Sequence, residues 1–219
     1  MEKKLMLIVN PAAGRGGYKV NFAEALHTLD LGGYRTTLFF TSGRGEATEF
    51  AARHAANFDT VACIGGDGTL SEVLAGLMQL DSPPPVGYMP MGTANDVATT
   101  LGLPKNDTVG AARRIVHGAA HPFDVGGFGD DKYFAYIAAF GAFTEVSYAT
   151  PQDQKKRLGH LAYVLQGAQQ LGKIESYNTR VEYDGGVVEE DLLYGSMSNS
   201  YSVAGLIDLP RDEIKLGDG

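Results

Sequence analysis

Thr60-Val61-Ala62-Cys63-Ile64-Gly65-Gly66-Asp67-Gly68-Thr69-Leu70-Ser71-Glu72 is the stretch whose reading decides the fold. Thr60–Ile64 is a short apolar run of the kind that makes a buried strand. Leu70, Val73, Leu74 and Leu77 follow at the i, i+3, i+4, i+7 spacing of a helix face. Thr69-Leu70-Ser71-Glu72 fits the capping-box pattern for a helix start. The order is therefore strand, glycine turn, helix N-terminus. Glycines let a backbone come close to an anion, and the first helical N–H groups point at it. Asp67 would repel a phosphate there unless a metal ion or ordered water stands between them. The stretch reads as a nucleotide-phosphate loop served by a divalent cation, against the competing reading of a tight turn before a helix.

Outward from this loop, the same alternation recurs. Leu5–Val9 is a continuous apolar strand of the type buried on both faces of a parallel sheet, ending at Asn10-Pro11-Ala12-Ala13-Gly14-Arg15-Gly16-Gly17. Phe22, Ala25, Leu26 and Leu29 mark a helix, Tyr34–Phe40 a strand, and Thr41-Ser42-Gly43-Arg44-Gly45 a turn. Ala47, Phe50, Ala51, His54 and Ala55 mark the next helix. Beyond the central loop, Pro83-Pro84-Pro85 breaks the chain before a strand at Val86–Met89. The turn Pro90-Met91-Gly92-Thr93-Ala94-Asn95-Asp96 then leads into a helix ending near Leu101-Gly102-Leu103-Pro104. This order implies an open, mostly parallel α/β sheet with helices on both faces, whose ligand lies at the carboxyl ends of the strands. Thr93, Asn95 and Asp96 are each capable N-caps, and together beside Gly92 they suggest a polar site.

Val109, Ala112, Ile115 and Val116 make one more helix, and near His121-Pro122 the pattern changes. Phe123–Gly126, Lys132–Phe140 and Thr144–Tyr148 read as strands. A helix opened by Lys155-Lys156-Arg157 carries Leu158, Leu161, Ala162, Leu165 and Ala168. Two long strands, Tyr177–Tyr183 and Val187–Met197, join at the hairpin turn Asp184-Gly185-Gly186. The expected organisation is an α/β nucleotide-binding domain over residues 1–122 and a mostly antiparallel β domain over residues 123–219.

The chain has 219 residues, 44% of them hydrophobic, which suits one large or two small globular domains. A net charge of −8 argues against a general nucleic-acid binder, which needs a basic stripe. The single cysteine, Cys63, lies in the apolar run and reads as a buried thiol. No apolar run approaches the ~18 residues of a membrane span, and Leu5–Val9 is too short for a signal-peptide core, so the cytoplasm is the expected location. Several motifs fail. Lys19 stands where a dinucleotide fingerprint needs its third glycine. Ile174 replaces the Ser or Thr of a P-loop at Gly167–Lys173. The five histidines show no metal-ligand spacing.

Asn10-Pro11-x-x-Gly14, Gly65-Gly66-Asp67-Gly68-Thr69 and Gly92-Thr93-x-Asn95-Asp96, in that order, resemble the catalytic domain of diacylglycerol kinases and related lipid kinases. Asp124-Val125-Gly126, Tyr133-Phe134, Gly141, Thr144–Tyr148 and Leu158-Gly159-x-Leu161-Ala162-Tyr163 resemble the soluble bacterial branch. The central loop alone would also admit NAD kinases. The resemblance implies transfer of the γ-phosphoryl of ATP to diacylglycerol, giving phosphatidic acid. It implies ATP contacts from Asn10, Pro11, Ala12, Ala13, Gly14, Thr41, Gly65, Gly66, Asp67, Gly68, Thr69, Leu70, Ser71 and Thr93, with Asp67 catalytic through a magnesium and water network. It further implies a structural Mg2+ held by the Asp218 carboxylate and the Lys215 carbonyl, since a protonated lysine side chain cannot ligate a cation. A membrane lipid is the implied partner, met peripherally at the inner membrane surface, and a homodimer is among the assemblies admitted; Lys155, Lys156 and Arg157 read either as a contact to its anionic headgroups or as a solvated helix start. Family members continue past an Asp-Gly like Asp218-Gly219 to a glutamate general base. The chain is therefore expected to be a piece lacking that base and to turn over poorly, with Glu145 and Glu175 as substitutes. A non-catalytic nucleotide- or lipid-binding fragment is the alternative from another class.

Overall fold

The computed structural model describes residues 2–14, 21–129, 132–142, 175–203, 207–208 and 216–217. These fall into two compact units, one holding the residues up to Ile137 and from Ser198 onward, the other Ala138–Met197.

The first unit is built on four strands, β1 (Lys3–Val9), β2 (Tyr34–Phe40), β3 (Thr60–Gly65) and β4 (Val86–Pro90). They form one parallel sheet in the order β2-β1-β3-β4. Alternate residues of β1 serve opposite faces. Leu5, Leu7 and Val9 pack with Ala25, Leu29, Val109, Ala111 and Ala112 from helices α1 (Phe22–Leu31) and α5 (Thr108–His117). Met6 and Ile8 pack with Ala47, Ala51, Leu70, Val73 and Leu77 from α2 (Glu46–His54) and α3 (Asp67–Leu77). All five residues from Leu5 to Val9 are fully buried, which is why the run lacks polar alternation. Cutting one of these large side chains to alanine costs about 2–5 kcal/mol.

The helix stripes are borne out: Leu70, Val73 and Leu77 of α3 and Val109 and Ala112 of α5 are buried. The capping box is not. Helix α3 begins at Asp67, and Gly66, which has no side chain to offer, is its N-cap. Thr69 sits within the first turn, and its hydroxyl is taken by Asn10. At α5, by contrast, Asp107 caps by accepting from the Gly110 N–H at 2.8 Å.

The sheet is followed by α4 (Asp96–Thr100) and the antiparallel pair β5 (Gly126–Phe128) and β6 (Lys132–Phe134). Phe123–Val125 was expected to be strand but is irregular, and pairing starts at Gly126. The Asp124 N–H instead donates to the Leu216 carbonyl, and its own carbonyl accepts from the Asn199 amide. Ser200, fully buried, bonds the Thr100 hydroxyl at 2.7 Å, so this late segment is tied to the end of α4.

In the second unit β7 (Ile137–Gly141) pairs with β10 (Tyr194–Ser198), and β8 (Tyr177–Tyr183) forms an antiparallel hairpin with β9 (Gly186–Leu192). The single strand expected over Val187–Met197 is two, broken at Leu193, because the chain leaves β8 and takes a new partner. A short pair, β11 (Ser202–Val203) and β12 (Ile207–Asp208), follows in the first unit. The expected strand Thr144–Tyr148, the helix opened by Lys155-Lys156-Arg157, and the segment Gly167–Lys173 lie outside the described residues. Among the described residues no helix is long and apolar enough to cross a membrane.

Candidate functional site: three turns at the switch point of the sheet

The chain leaves β1 toward β2 on one side of the sheet and leaves β3 toward β4 on the other. Between β1 and β3 the winding reverses, and a crevice opens there at the carboxyl ends of the strands. The turn after β1 is fastened across it. The Asn10 N–H donates to the Ile64 carbonyl at 2.9 Å, and its side-chain amide donates to the Thr69 hydroxyl at 3.0 Å. Its other side-chain atom, Oδ1, accepts from the Ala12 N–H at 3.0 Å and shapes its own turn. Gly14 has φ +52, and a Cβ there would collide with the Met91 carbonyl, so the turn after β1 rests directly on the one after β4.

The turns after β3 and β4 are back to back. A Cβ on Gly92 would lie 2.6 Å from Gly66 Cα and 2.7 Å from Asn95 Oδ1; one on Gly66 would lie 3.2 Å from Gly92 Cα. The Met91 N–H donates to the Gly65 carbonyl at 2.7 Å. Asn95, 1% exposed and left-handed at φ 54, folds its side chain back on Gly92. It accepts from the Gly92 N–H at 2.8 Å and donates to the Gly92 carbonyl at 2.9 Å. A Cβ on Gly68 would meet nothing within 4 Å, so the first turn of α3 is open on that side.

Asp67 joins the two turns. Its Oδ2 accepts from the Asp96 N–H at 3.1 Å and its Oδ1 from the Val97 N–H at 3.2 Å. A residue of α3 thereby caps the start of α4, while Asn95, at the N-cap position, makes no capping bond. Each carboxylate oxygen keeps a further lone pair for another donor or a cation. Burial raises the pKa of Asp67 above the usual carboxylate range; the two N–H donors oppose this, and the charge of Asp96 adds to it. The buried Cys63 thiol beneath is pushed up to about 12 by desolvation, with a contribution from the Asp67 charge.

The structure brings Asn10, Gly14, Gly65, Gly66, Asp67, Gly68 and Thr69 together at this crevice through the contacts above. Pro11 and Ala12 are exposed in the first turn, while Ala13 is buried beneath it. Thr41 follows β2, with its N–H on the Val9 carbonyl at 2.9 Å. Leu70 is 3% exposed in the core of the α2–α3 face, so only its backbone is offered to a ligand. Ser71 is half-buried in α3, and Thr93 is exposed. Lys215, Asp218 and Glu145 lie outside the described residues, and Glu175 is exposed before β8. Sequence reasoning missed the cross-helix capping by Asp67 and the buried Tyr88, whose hydroxyl lies 3.4 Å from Asn95 Oδ1. The one available signal was a phenol in an otherwise apolar strand.

Among the described residues no group of three or more His, Cys, Asp or Glu could hold a metal ion. The donor set fits magnesium delivered with a nucleotide, which needs only one or two carboxylates besides phosphate oxygens and water. Asp67 and Asp96 are the carboxylates at the crevice.

An open parallel sheet with glycine turns fastened together at its switch point defines an α/β protein with a crevice at the carboxyl ends of its strands. The family model of the diacylglycerol kinase catalytic domain matches residues 4–128. The diacylglycerol kinase of Bacillus subtilis (strain 168) is 37% identical over 219 residues, covering 99% of this chain and 71% of that protein. A diacylglycerol kinase of Staphylococcus aureus (strain bovine RF122 / ET3-1) is 37% identical over 220 residues, covering 100% and 69%. A crystal structure of a diacylglycerol kinase from Bacillus anthracis str. Sterne matches with a TM-score of 0.77 at 28% identity, over 99% of this chain and 71% of that one. The chain belongs to the diacylglycerol kinase catalytic domain family, a family of lipid kinases.

Proposed function

We propose that this protein transfers the γ-phosphoryl of ATP to the hydroxyl of diacylglycerol, giving phosphatidic acid. The observation that carries this reading is Asp67, braced on the Asp96 and Val97 N–H groups beside glycine backbone that stays open at Gly68. The N-terminus of α3 lacks a side-chain cap and offers its N–H groups and dipole to the β- and γ-phosphates. Gly66 and Gly92, in mutual contact, leave no side chain between phosphate and backbone. Magnesium, carried in on the nucleotide near Asp67 and Asp96, would neutralise phosphate charge. Preorganised donors of this kind act by positioning and by stabilising charge that develops in transfer. Residues 1–122 are assigned to the nucleotide and residues 123–219 to the acceptor, with Lys215 and Asp218 as ligands of a structural magnesium. The acceptor is met at the membrane surface through Lys155, Lys156 and Arg157.

The test is an acceptor panel. With [γ-32P]ATP and magnesium, label is expected in phosphatidic acid from diacylglycerol in mixed micelles, and is lost in Asp67→Ala. Label in NADP from NAD, or in a different lipid to the exclusion of phosphatidic acid, would overturn the assignment. Charge reversal of Lys155, Lys156 and Arg157 should weaken co-sedimentation with anionic vesicles; unchanged binding removes the membrane contact from the reading.

A further inference from the structure

Two side chains of its first turn tie helix α3 to its surroundings. Asp67 reaches forward to the start of α4. Thr69, 7% exposed, folds the other way: a Cβ on Gly65 would collide with its Cβ and Oγ1. Glycine at 65 is therefore required by the Thr69 side chain, a separate demand from any approach of phosphate. The folded-back hydroxyl accepts from the Asn10 side-chain amide at 3.0 Å. Asn10 has both ends of that side chain committed, since its Oδ1 holds the Ala12 N–H at 3.0 Å. The main-chain bond from Asn10 to the Ile64 carbonyl only continues the β1–β3 pairing by one residue. The amide–hydroxyl bond is thus what joins the turn after β1 to α3. The Thr69 and Leu70 N–H groups are spent on the Gly66 carbonyl, at 3.0 and 3.1 Å, so the anion seat at this helix start narrows to the backbone of Asp67 and Gly68. A seat that small depends closely on where the turn stands.

We infer that Asn10 and Thr69 are a positioning pair: their hydrogen bond latches the turn after β1 onto the first turn of α3 and sets the Asp67–Gly68 backbone in register for the phosphates of a magnesium nucleotide. This rests on reading the crevice as the nucleotide site. Neither side chain touches phosphate in this role; each acts through the backbone it holds. Without the latch the turn after β1 keeps its rest on Met91 through Gly14 and loses its hold on α3.

The experiment is calorimetric titration, well below the melting temperature, with magnesium and a non-hydrolysable ATP analogue. The proteins are wild type, Thr69→Val, Thr69→Ser, Asn10→Ser and the double variant Asn10→Ser with Thr69→Val. Valine keeps nearly the same shape without the hydroxyl. Serine at 69 keeps the acceptor, and serine at 10 is too short to reach Thr69 but can still hold the Ala12 N–H. Thr69→Val and Asn10→Ser should each bind about fivefold more weakly, the scale of one neutral hydrogen bond, while Thr69→Ser should stay within about twofold of wild type. With the latch already broken by Asn10→Ser, Thr69→Val should cost less than about twofold, since residues joined by one bond are non-additive. Thermal melts separate this from plain destabilisation, which lowers the melting temperature but leaves the affinity of the folded protein unchanged. Wild-type affinity in Thr69→Val, an equal loss on both backgrounds, or no rescue by Thr69→Ser would overturn the latch and leave the crevice reading standing. Absence of nucleotide binding in the wild-type protein would overturn the reading of the crevice and the latch with it.

Discussion

Replacing Gly92 by alanine tests whether contact between the two glycine turns sets the site's geometry. The new Cβ would stand 2.6 Å from Gly66 Cα and 2.7 Å from Asn95 Oδ1. Carbon atoms settle at about 3.5–4.0 Å, so the turns must part by roughly 1 Å. The obstacle on one side is backbone, which cannot rotate away, and on the other the side chain that clamps Gly92 itself. Overpacking of this kind costs about 1–3 kcal/mol, a fall in melting temperature on the order of 5 °C for a chain of this size. A 1 Å displacement of groups that position phosphate can cost about 100-fold in rate. Gly66→Ala is the graded control: its Cβ would meet Gly92 Cα at 3.2 Å, a strain relieved by a few tenths of an ångström. Phosphorylation of diacylglycerol in mixed micelles, with melts of both variants, should show Gly92→Ala far more damaged than Gly66→Ala. Wild-type turnover in Gly92→Ala, or the reverse ranking, would refute the argument that this contact holds the site in register.

Gly68→Ala separates fold from ligand: alanine gains about 1 kcal/mol of helix propensity and meets no protein atom, so the variant should melt no lower than wild type yet bind magnesium nucleotide more weakly, by calorimetry. The raised pKa of Asp67 means that the folded protein holds this proton more tightly than the unfolded chain does. The associated stability is fully present below the unfolded pKa of ~3.9 and is lost as pH rises through the raised folded value. The melting temperature of wild type relative to Asp67→Asn should therefore fall as pH increases through that window; a rise would contradict it. Cys63 is fully buried with its thiol pushed up to about 12, so it should resist a thiol reagent in the native protein and react at once in denaturant.

The α/β half was legible because its signals are local and redundant. Leu5–Val9 is apolar at every position because both faces of β1 are covered, and the stripe Leu70, Val73, Leu77 is the buried side of α3. Glycine turns announce themselves in the same way. What did not show is where one segment supplies what another lacks. The Thr69–Glu72 pattern satisfies the capping box, yet the helix starts earlier and the Thr69 hydroxyl is used by Asn10 from a different turn. Asn95 and Asp96 looked like caps for α4, and the cap came from Asp67, 29 residues before Asp96. Such exchanges between distant segments carry no periodicity. The break at Leu193 is of the same kind, since only the change of partner from β8 to β7 reveals it.

The central claim is that the turns carrying Asn10, Gly66–Gly68 and Gly92 form the nucleotide-phosphate site. Its most direct measurement is a crystal structure of the protein with magnesium and a non-hydrolysable ATP analogue. The account predicts the β- and γ-phosphates over Gly66–Gly68 at the N-terminus of α3, with Asp67 still bonded to the Asp96 and Val97 N–H groups. Phosphates bound elsewhere, or Asp67 released from those groups when the nucleotide binds, would contradict it.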